Sequence, residues 1–260
     1  MFLVDTHSHI CDDRFNSDRK ELIENLENNG IKFIVEIGCD YESSKEALEL
    51  SYKHKNIFSV IGVHPHDVKD MNESLFEKLE SLAGFDRCVG IGEIGLDYFR
   101  NLSPKDLQEK WFRRQLELAK KMNKPIVLHI RDAYKESFEI LKDYYPFPDG
   151  GVFHCFSSDY SSAKKAIEMG FKIGIGGTLT YKKNEQLREV VKRIPVESIV
   201  TETDCPYLSP EPLRGKRNEP SYVKYVVELI ANLKNTDIKK ISDKLFGNAL
   251  ELYKTSEKDI

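Results

Sequence analysis

Phe2-Leu3-Val4-Asp5-Thr6-His7-Ser8-His9 opens the chain with a short apolar run that ends in two imidazoles. In extended backbone successive side chains alternate faces, so residues two apart look the same way and both rings address one point. Four further runs of strand-like composition lead into a ligand-type residue in the same manner. Val89 to Ile91 leads to Glu93, Pro125 to Leu128 to His129, Gly151 to Phe153 to His154, and Ile199 to Thr201 to Glu202 and Asp204. One His pair is weak evidence for a metal, its ordinary alternative being a polar strand end. Five strand ends carrying such residues point to a single site built where a parallel barrel displays its active groups.

Outward from these runs, short apolar or β-branched segments alternate with longer amphipathic ones, the pattern of strand-helix units around a parallel sheet. Eight strands are predicted, near Leu3–His7, Lys32–Ile37, Phe58–Val63, Val89–Glu93, Ile126–Ile130, Val152–Phe156, Lys172–Ile175 and Ile199–Glu202. Helical periodicity is read over Asp18–Asn29, Ser43–His54, Leu75–Leu82, Pro104–Met122, Ala133–Asp143, Ser161–Met169 and Asn184–Arg193, with Tyr222–Leu233 and Asp237–Leu245 closing the chain. Ser103-Pro104 reads as a cap followed by proline at the first helical position, and Gly30 and Gly170 stand where helix ends need positive φ. With no linker-like stretch and no repeat, residues 1–260 are read as a single α/β domain, a TIM (β/α)8 barrel with its active site at the C-terminal strand ends.

Composition narrows the function. Against 43 acidic residues stand 39 Lys and Arg, a formal net charge of −4, so the chain does not coat nucleic acid by bulk electrostatics. A phosphodiester substrate stays open, because bound cations add charge that the sequence total omits. Five cysteines, with no Cys-x-x-Cys pair, favour neither a disulfide framework nor a zinc ribbon, and a reducing cytoplasm is expected. Cys155 and Cys205 are expected to face away from the ligands they follow, as buried thiols. The opening Met1-Phe2-Leu3-Val4 meets Asp5 without a basic leader, and no apolar run approaches a bilayer-spanning length, so a location inside the cell and no membrane contact are expected.

Each candidate has a plain structural alternative. Glu93 sits among glycines in Gly90-Ile91-Gly92-Glu93-Ile94-Gly95, where backbones approach closely. A carboxylate there is paired or metal-bound, since an isolated buried charge is too costly, and its two oxygens suit it to bridge two ions. His129 or His154 alone would read as a core histidine; together with His7, His9 and Glu93 they read as ligands. Asp204, nearer the mouth, is the candidate ligand and proton acceptor, and Glu202 a deeper group that orients an imidazole or hydroxyl. Arg214, Lys216 and Arg217 offer a basic edge for a phosphate backbone, and Tyr98, Phe99 and Tyr207 offer rings for unpaired bases. A solvated loop and ordinary rim packing are the respective alternatives.

At these residues the chain resembles the TatD family of metal-dependent deoxyribonucleases. The motifs run in order from Asp5-Thr6-His7-Ser8-His9, Gly62-Val63-His64-Pro65-His66 and Gly92-Glu93-Ile94-Gly95-Leu96-Asp97-Tyr98 to Lys124-Pro125-Ile126-Val127-Leu128-His129-Ile130-Arg131, His154-Cys155-Phe156 and Glu202-Thr203-Asp204-Cys205-Pro206-Tyr207-Leu208. The loop Pro212–Pro220 also fits, and no ligand position departs from the pattern. The resemblance implies two divalent ions, one held by His7, His9, Glu93 and Asp204, the other by Glu93, His129 and His154. It further implies catalysis through Glu93 and Asp204, and phosphate contacts from His66, Arg131 and the loop bearing Arg214. Nitrogen-rich ligands suit Zn²⁺ and Mn²⁺, whereas the resemblance implies Mg²⁺, so the metal is left open. The expected function is hydrolysis of DNA, as a 3′–5′ exonuclease on single strands or ends, in the setting of DNA repair, with DNA as a transient partner. An aminoacyl-tRNA deacylase or small-molecule hydrolase on the same scaffold is the alternative, and a non-catalytic metal-binding scaffold a third reading. The oligomeric state is left open, a monomer included.

Overall fold

The computed structural model describes all 260 residues. Eight strands pair in parallel in chain order: β1 (Leu3–Ser8), β2 (Ile31–Ile37), β3 (Ile57–Ile61), β4 (Cys88–Asp97), β5 (Ile126–Arg131), β6 (Gly151–Phe153), β7 (Phe171–Ile175) and β8 (Ile199–Thr201). Helices α1 (Arg19–Glu24), α2 (Tyr41–Lys53), α3 (Glu73–Ala83), α4 (Lys105–Met122), α5 (Tyr134–Lys142), α6 (Tyr160–Glu168) and α7 (Glu185–Arg193) follow the first seven strands in turn. After β8 come α8 (Val223–Leu233) and α9 (Ile238–Tyr253). Side chains of Asp40, Asn72, Asp159 and Asp237 accept from first-turn amides and so begin α2, α3, α6 and α9.

The sheet closes into a barrel at the β1–β8 seam without a regular ladder. A bridge joins Ser8 to Cys205, Thr6 Oγ1 donates to the Thr201 carbonyl (3.0 Å), Thr201 Oγ1 to that of Val4 (3.2 Å), and the Asp204 amide to that of His7 (2.9 Å). Threonine hydroxyls thus supplement a few backbone bonds at this seam, and the amide bond ties Asp204 to the strand that carries both N-terminal histidines.

Alternation divides the core in two. Inward-facing Val4, Val35, Val60, Val127, Val152 and Val200 belong to a compact cluster that also takes Phe246, Ala249, Leu252 and Tyr253 from α9. A larger cluster fills the layer between the sheet and the surrounding helices. Helix α9 therefore plugs the N-terminal end of the barrel, with Tyr253 Oη donating to the Thr6 carbonyl at 2.9 Å. The opposite end is left for polar groups. No helix is long and apolar enough to cross a membrane.

Several boundaries differ from the sequence reading. The first predicted helix shortens to Arg19–Glu24, and the last extends beyond Leu245 to Tyr253. Within the added turns Asn248 is buried, and its amide donates to the Val196 and Ile199 carbonyls, both at 2.7 Å. Pro104 is the N-cap of α4 rather than its first residue, and Ser103 does not cap it. The Ser103 hydroxyl instead donates to the His66 carbonyl at 2.7 Å. Gly30 and Gly170 do adopt positive φ, +81° and +92°.

Candidate metal centre

Strand β4 runs past Glu93 to Asp97, four residues beyond the predicted end, and its glycines explain how. A Cβ on Gly92 would lie 2.6 Å from that of Val127, and one on Gly95 (φ +144°) would lie 2.1 Å from the His129 carbonyl oxygen. Only glycine lets β4 approach β5 this closely and set Glu93 beside His129.

Glu93 lies at the centre, 3 % exposed, with its two oxygens facing different groups. Oε2 is 3.2 Å from His7 Nε2 and 3.9 Å from His9 Nε2. Oε1 is 2.7 Å from His129 Nδ1 and 3.7 Å from Nε2 of both His154 and His64. Asp204 Oδ1 closes the first group, 3.4 Å from His9 Nε2, and reaches the second, 3.8 Å from His154 Nε2. The six predicted ligands from five strand ends therefore converge on one pocket, divided by the Glu93 carboxylate.

Neighbouring groups fix which nitrogen each ring presents. His9 Nδ1 lies 3.0 Å from the Ile37 carbonyl, which can only accept, so the proton sits on Nδ1 and Nε2 turns its lone pair inward. His154 Nδ1 is 3.1 Å from Glu202 Oε2, which places Glu202 behind the ring, while Nε2 faces Glu93. The rings of His7 and His154 stack with centroids 3.4 Å apart. Such support behind imidazole is what metal ligation requires.

Electrostatics agree. Burial works to raise the Glu93 carboxyl, but His154, His7, His129 and His64 hold it well below the ordinary carboxylate range. Asp204 is likewise held low against burial, by His9, His154 and His7. Burial opposes protonation of His154, yet Glu202 and Glu93 lift it to about 9. Burial also opposes the rise at His129, which Asp97 and Glu93 produce. Protons on His154 and His129 offset these carboxylate charges, whereas burial pushes His7 and His64 toward the neutral ring; divalent cations would take over the protonated positions with release of those protons. The donor set fits such ions: nitrogen and oxygen atoms of His7, His9 and Asp204 lie within 4.8 Å of one another, as do a His154 nitrogen, the Cys155 sulfur and an Asp204 oxygen.

Asp97 is a further member of the site that the ligand pattern does not single out. Fully buried, its Oδ2 is 2.7 Å from His66 Nε2 and 3.1 Å from His129 Nε2, while Oδ1 accepts from the Arg100 amide at 2.7 Å. It holds the proton of His129 on Nε2 and so turns Nδ1 toward Glu93. The signal was its place four residues after Glu93, legible only if β4 is allowed to continue through Gly95. His64, which the resemblance places at the substrate, also faces the centre: its Nδ1 accepts from the His66 amide at 3.1 Å, which leaves Nε2 facing Glu93 as a donor.

The cavity over these groups, about 540 Å³, is also lined by His66, Arg131, Arg100 and Tyr207. One expectation needs correction. Cys155 does not face away: β6 ends at Phe153, Cys155 takes φ +44°, and it lines the cavity together with Cys39. Cys205 is buried as predicted. Arg214 stands outside the cavity lining, its guanidinium 4.1 Å from the centre of the Tyr181 ring. Arg217 does not offer a free charge, because it grips the Asp18 carboxylate through two hydrogen bonds, one of 2.7 Å. Tyr98 commits its hydroxyl to Glu109 at 2.8 Å.

The family model for TatD-related DNase matches residues 4–254. A protein of Bacillus subtilis described as an uncharacterized metal-dependent hydrolase, YabD, is 40% identical over 97% of this chain and 99% of its own length. A Rahnella protein described as the 3′–5′ ssDNA/RNA exonuclease TatD is 32% identical over 95% of this chain and 97% of its own. Among solved structures, YjjV of Escherichia coli, a TatD homologue, superposes with a TM-score of 0.93 at 27% identity and covers 98% of each chain. The chain belongs to the TatD-related DNase family of metal-dependent hydrolases.

Proposed function

We propose that this protein hydrolyses phosphodiester bonds of DNA with two divalent ions, as a 3′–5′ exonuclease acting on single strands or ends. The observation that carries the reading is the division of Glu93, Oε2 toward His7 and His9 and Oε1 toward His129 and His154. A carboxylate so divided fits two cations at once. His7, His9, Glu93 and Asp204 would hold one, and Glu93, His129 and His154 the other. Divalent ions in such a site acidify water and offset charge developing on a phosphoryl oxygen.

The chain's own residues supply the rest. Asp204, 17 % exposed at its side chain and kept ionised by three imidazoles, accepts the proton of the attacking water. Arg131 and His66 on the cavity wall seat the phosphate, and burial of Glu93 keeps bulk water from competing. The name carried by the Rahnella relative supports the substrate class and polarity. Five free cysteines fit work in the reducing cytoplasm.

Metal-stripped protein given Mg²⁺, Mn²⁺ or Zn²⁺ and end-labelled single-stranded DNA, duplex DNA or RNA tests the reading. Single-nucleotide shortening from the 3′ end is expected. Asp204→Asn should lower turnover on the order of 10²- to 10⁴-fold, the usual worth of a positioned base, while circular dichroism reports a retained fold. Cleavage of none of these substrates with any metal, or an Asn variant as active as the parent, refutes the proposal.

A further inference from the structure

Two large aromatic side chains stand exposed beside the cavity, Phe99 at 60 % and Tyr207 at 48 %. Exposed rings of this size lose hydrophobic stabilisation unless something covers them. Phe99 follows β4 and Tyr207 follows β8. In a barrel whose eight strands pair in chain order, β4 and β8 lie on opposite sides of the mouth, so the rings flank the Glu93 centre from opposite rims.

Each ring is backed on one face by a guanidinium. Arg131 lies 4.0 Å from the centre of the Phe99 ring, and Arg14 lies 4.2 Å from that of Tyr207. Arg14 is itself fixed by two bonds of 2.8 Å to the Asp12 carboxylate. A guanidinium stacked on one face holds a ring in place and leaves the other face for a planar ligand. Arg131 has a second use, since it also lines the cavity, where its N–H edge can meet a phosphate while its face covers Phe99.

We propose that Phe99 and Tyr207 are base-stacking platforms that take the two nucleobases on either side of the scissile phosphate, which is seated over Glu93 between them. The proposal takes its ligand from the function proposed above. It goes further in assigning recognition to the bases flanking the bond, with Arg131 and Arg14 positioning the rings. Bases splayed to opposite rims cannot remain stacked on each other or paired to a complement. The platforms therefore select unpaired nucleotides of any sequence, and a duplex end must open before it can be seated.

The test compares a single-stranded oligonucleotide with one of equal length whose two 3′-terminal nucleosides are abasic. Both carry non-cleavable phosphorothioate linkages and a fluorescent label, and both are titrated onto Mn²⁺-loaded protein by anisotropy. Phe99→Ala and Tyr207→Ala should each weaken the base-bearing ligand by about 5- to 100-fold, the range of one base–aromatic stack, and weaken the abasic ligand much less. Phe99→Trp and Tyr207→Phe should restore the difference, which a merely structural role would not show. Equal weakening of both ligands, or of neither, overturns the platforms. Because binding is read without turnover, aromatic-dependent binding by a protein that cleaves no DNA would uphold the platforms while the nuclease reading fell.

Discussion

At the scale of residues, the site is a matter of which imidazole nitrogen carries a proton and what holds it there. Ile37, Glu202 and Asp97 each face the back of a ring whose other nitrogen faces the cluster. Asp97 does this for His129 and also binds His66, so it links a proposed metal ligand to a proposed phosphate contact. In Asp97→Asn one oxygen becomes an N–H₂ that cannot accept from either ring. Affinity for Zn²⁺, measured by titration calorimetry on stripped protein, should fall roughly 10- to 100-fold at the weaker site; unchanged affinity would show that His129 needs no such support. The ligands were legible in the sequence because each closes an apolar run, where a charged or imidazole group has no reason to sit unless it is paired. Asp97 and Cys155 were not. One lay beyond a glycine that looked like an end, and the other lay just past the end of β6, where alternation no longer sets its direction.

Among the elements, β4 and α9 carry consequences of their own. The glycine-broken β4 trades regular pairing for close approach to β5, and its register with that strand shifts between Ile91 and Ile94 where Glu93 turns inward. Helix α9 fills the other end. Phe246, 5 % exposed, meets Phe2 and Phe33 at centroid distances of 5.6 and 6.0 Å. Phe246→Ala should cost about 3–5 kcal/mol of unfolding free energy in a urea titration, and a loss below about 1 kcal/mol, less than transfer of the ring alone, would show that α9 does not plug the barrel. All eight strands could be placed from composition, within a few residues at most ends. The extent of α9 could not, because burial of Asn248 against two carbonyls is a tertiary fact that local propensity does not contain.

Over the whole molecule, the barrel separates an apolar end closed by α9 from a polar end where the six candidate ligands meet. The net charge of −4 excluded a bulk nucleic-acid coat, while Arg131 and Arg14 place positive charge locally beside the mouth. Position around the barrel was beyond reading from the residues one at a time: Phe99 and Tyr207 become a pair only once β4 and β8 are known to face each other. Convergence of the ligands underlies every functional statement above. Anomalous diffraction from crystals grown with Mn²⁺ or Zn²⁺ tests it most directly. Two peaks flanking the Glu93 carboxylate are predicted, one among His7, His9 and Asp204 and one between His129 and His154; crystals with ordered metal elsewhere and none at Glu93 would contradict the account.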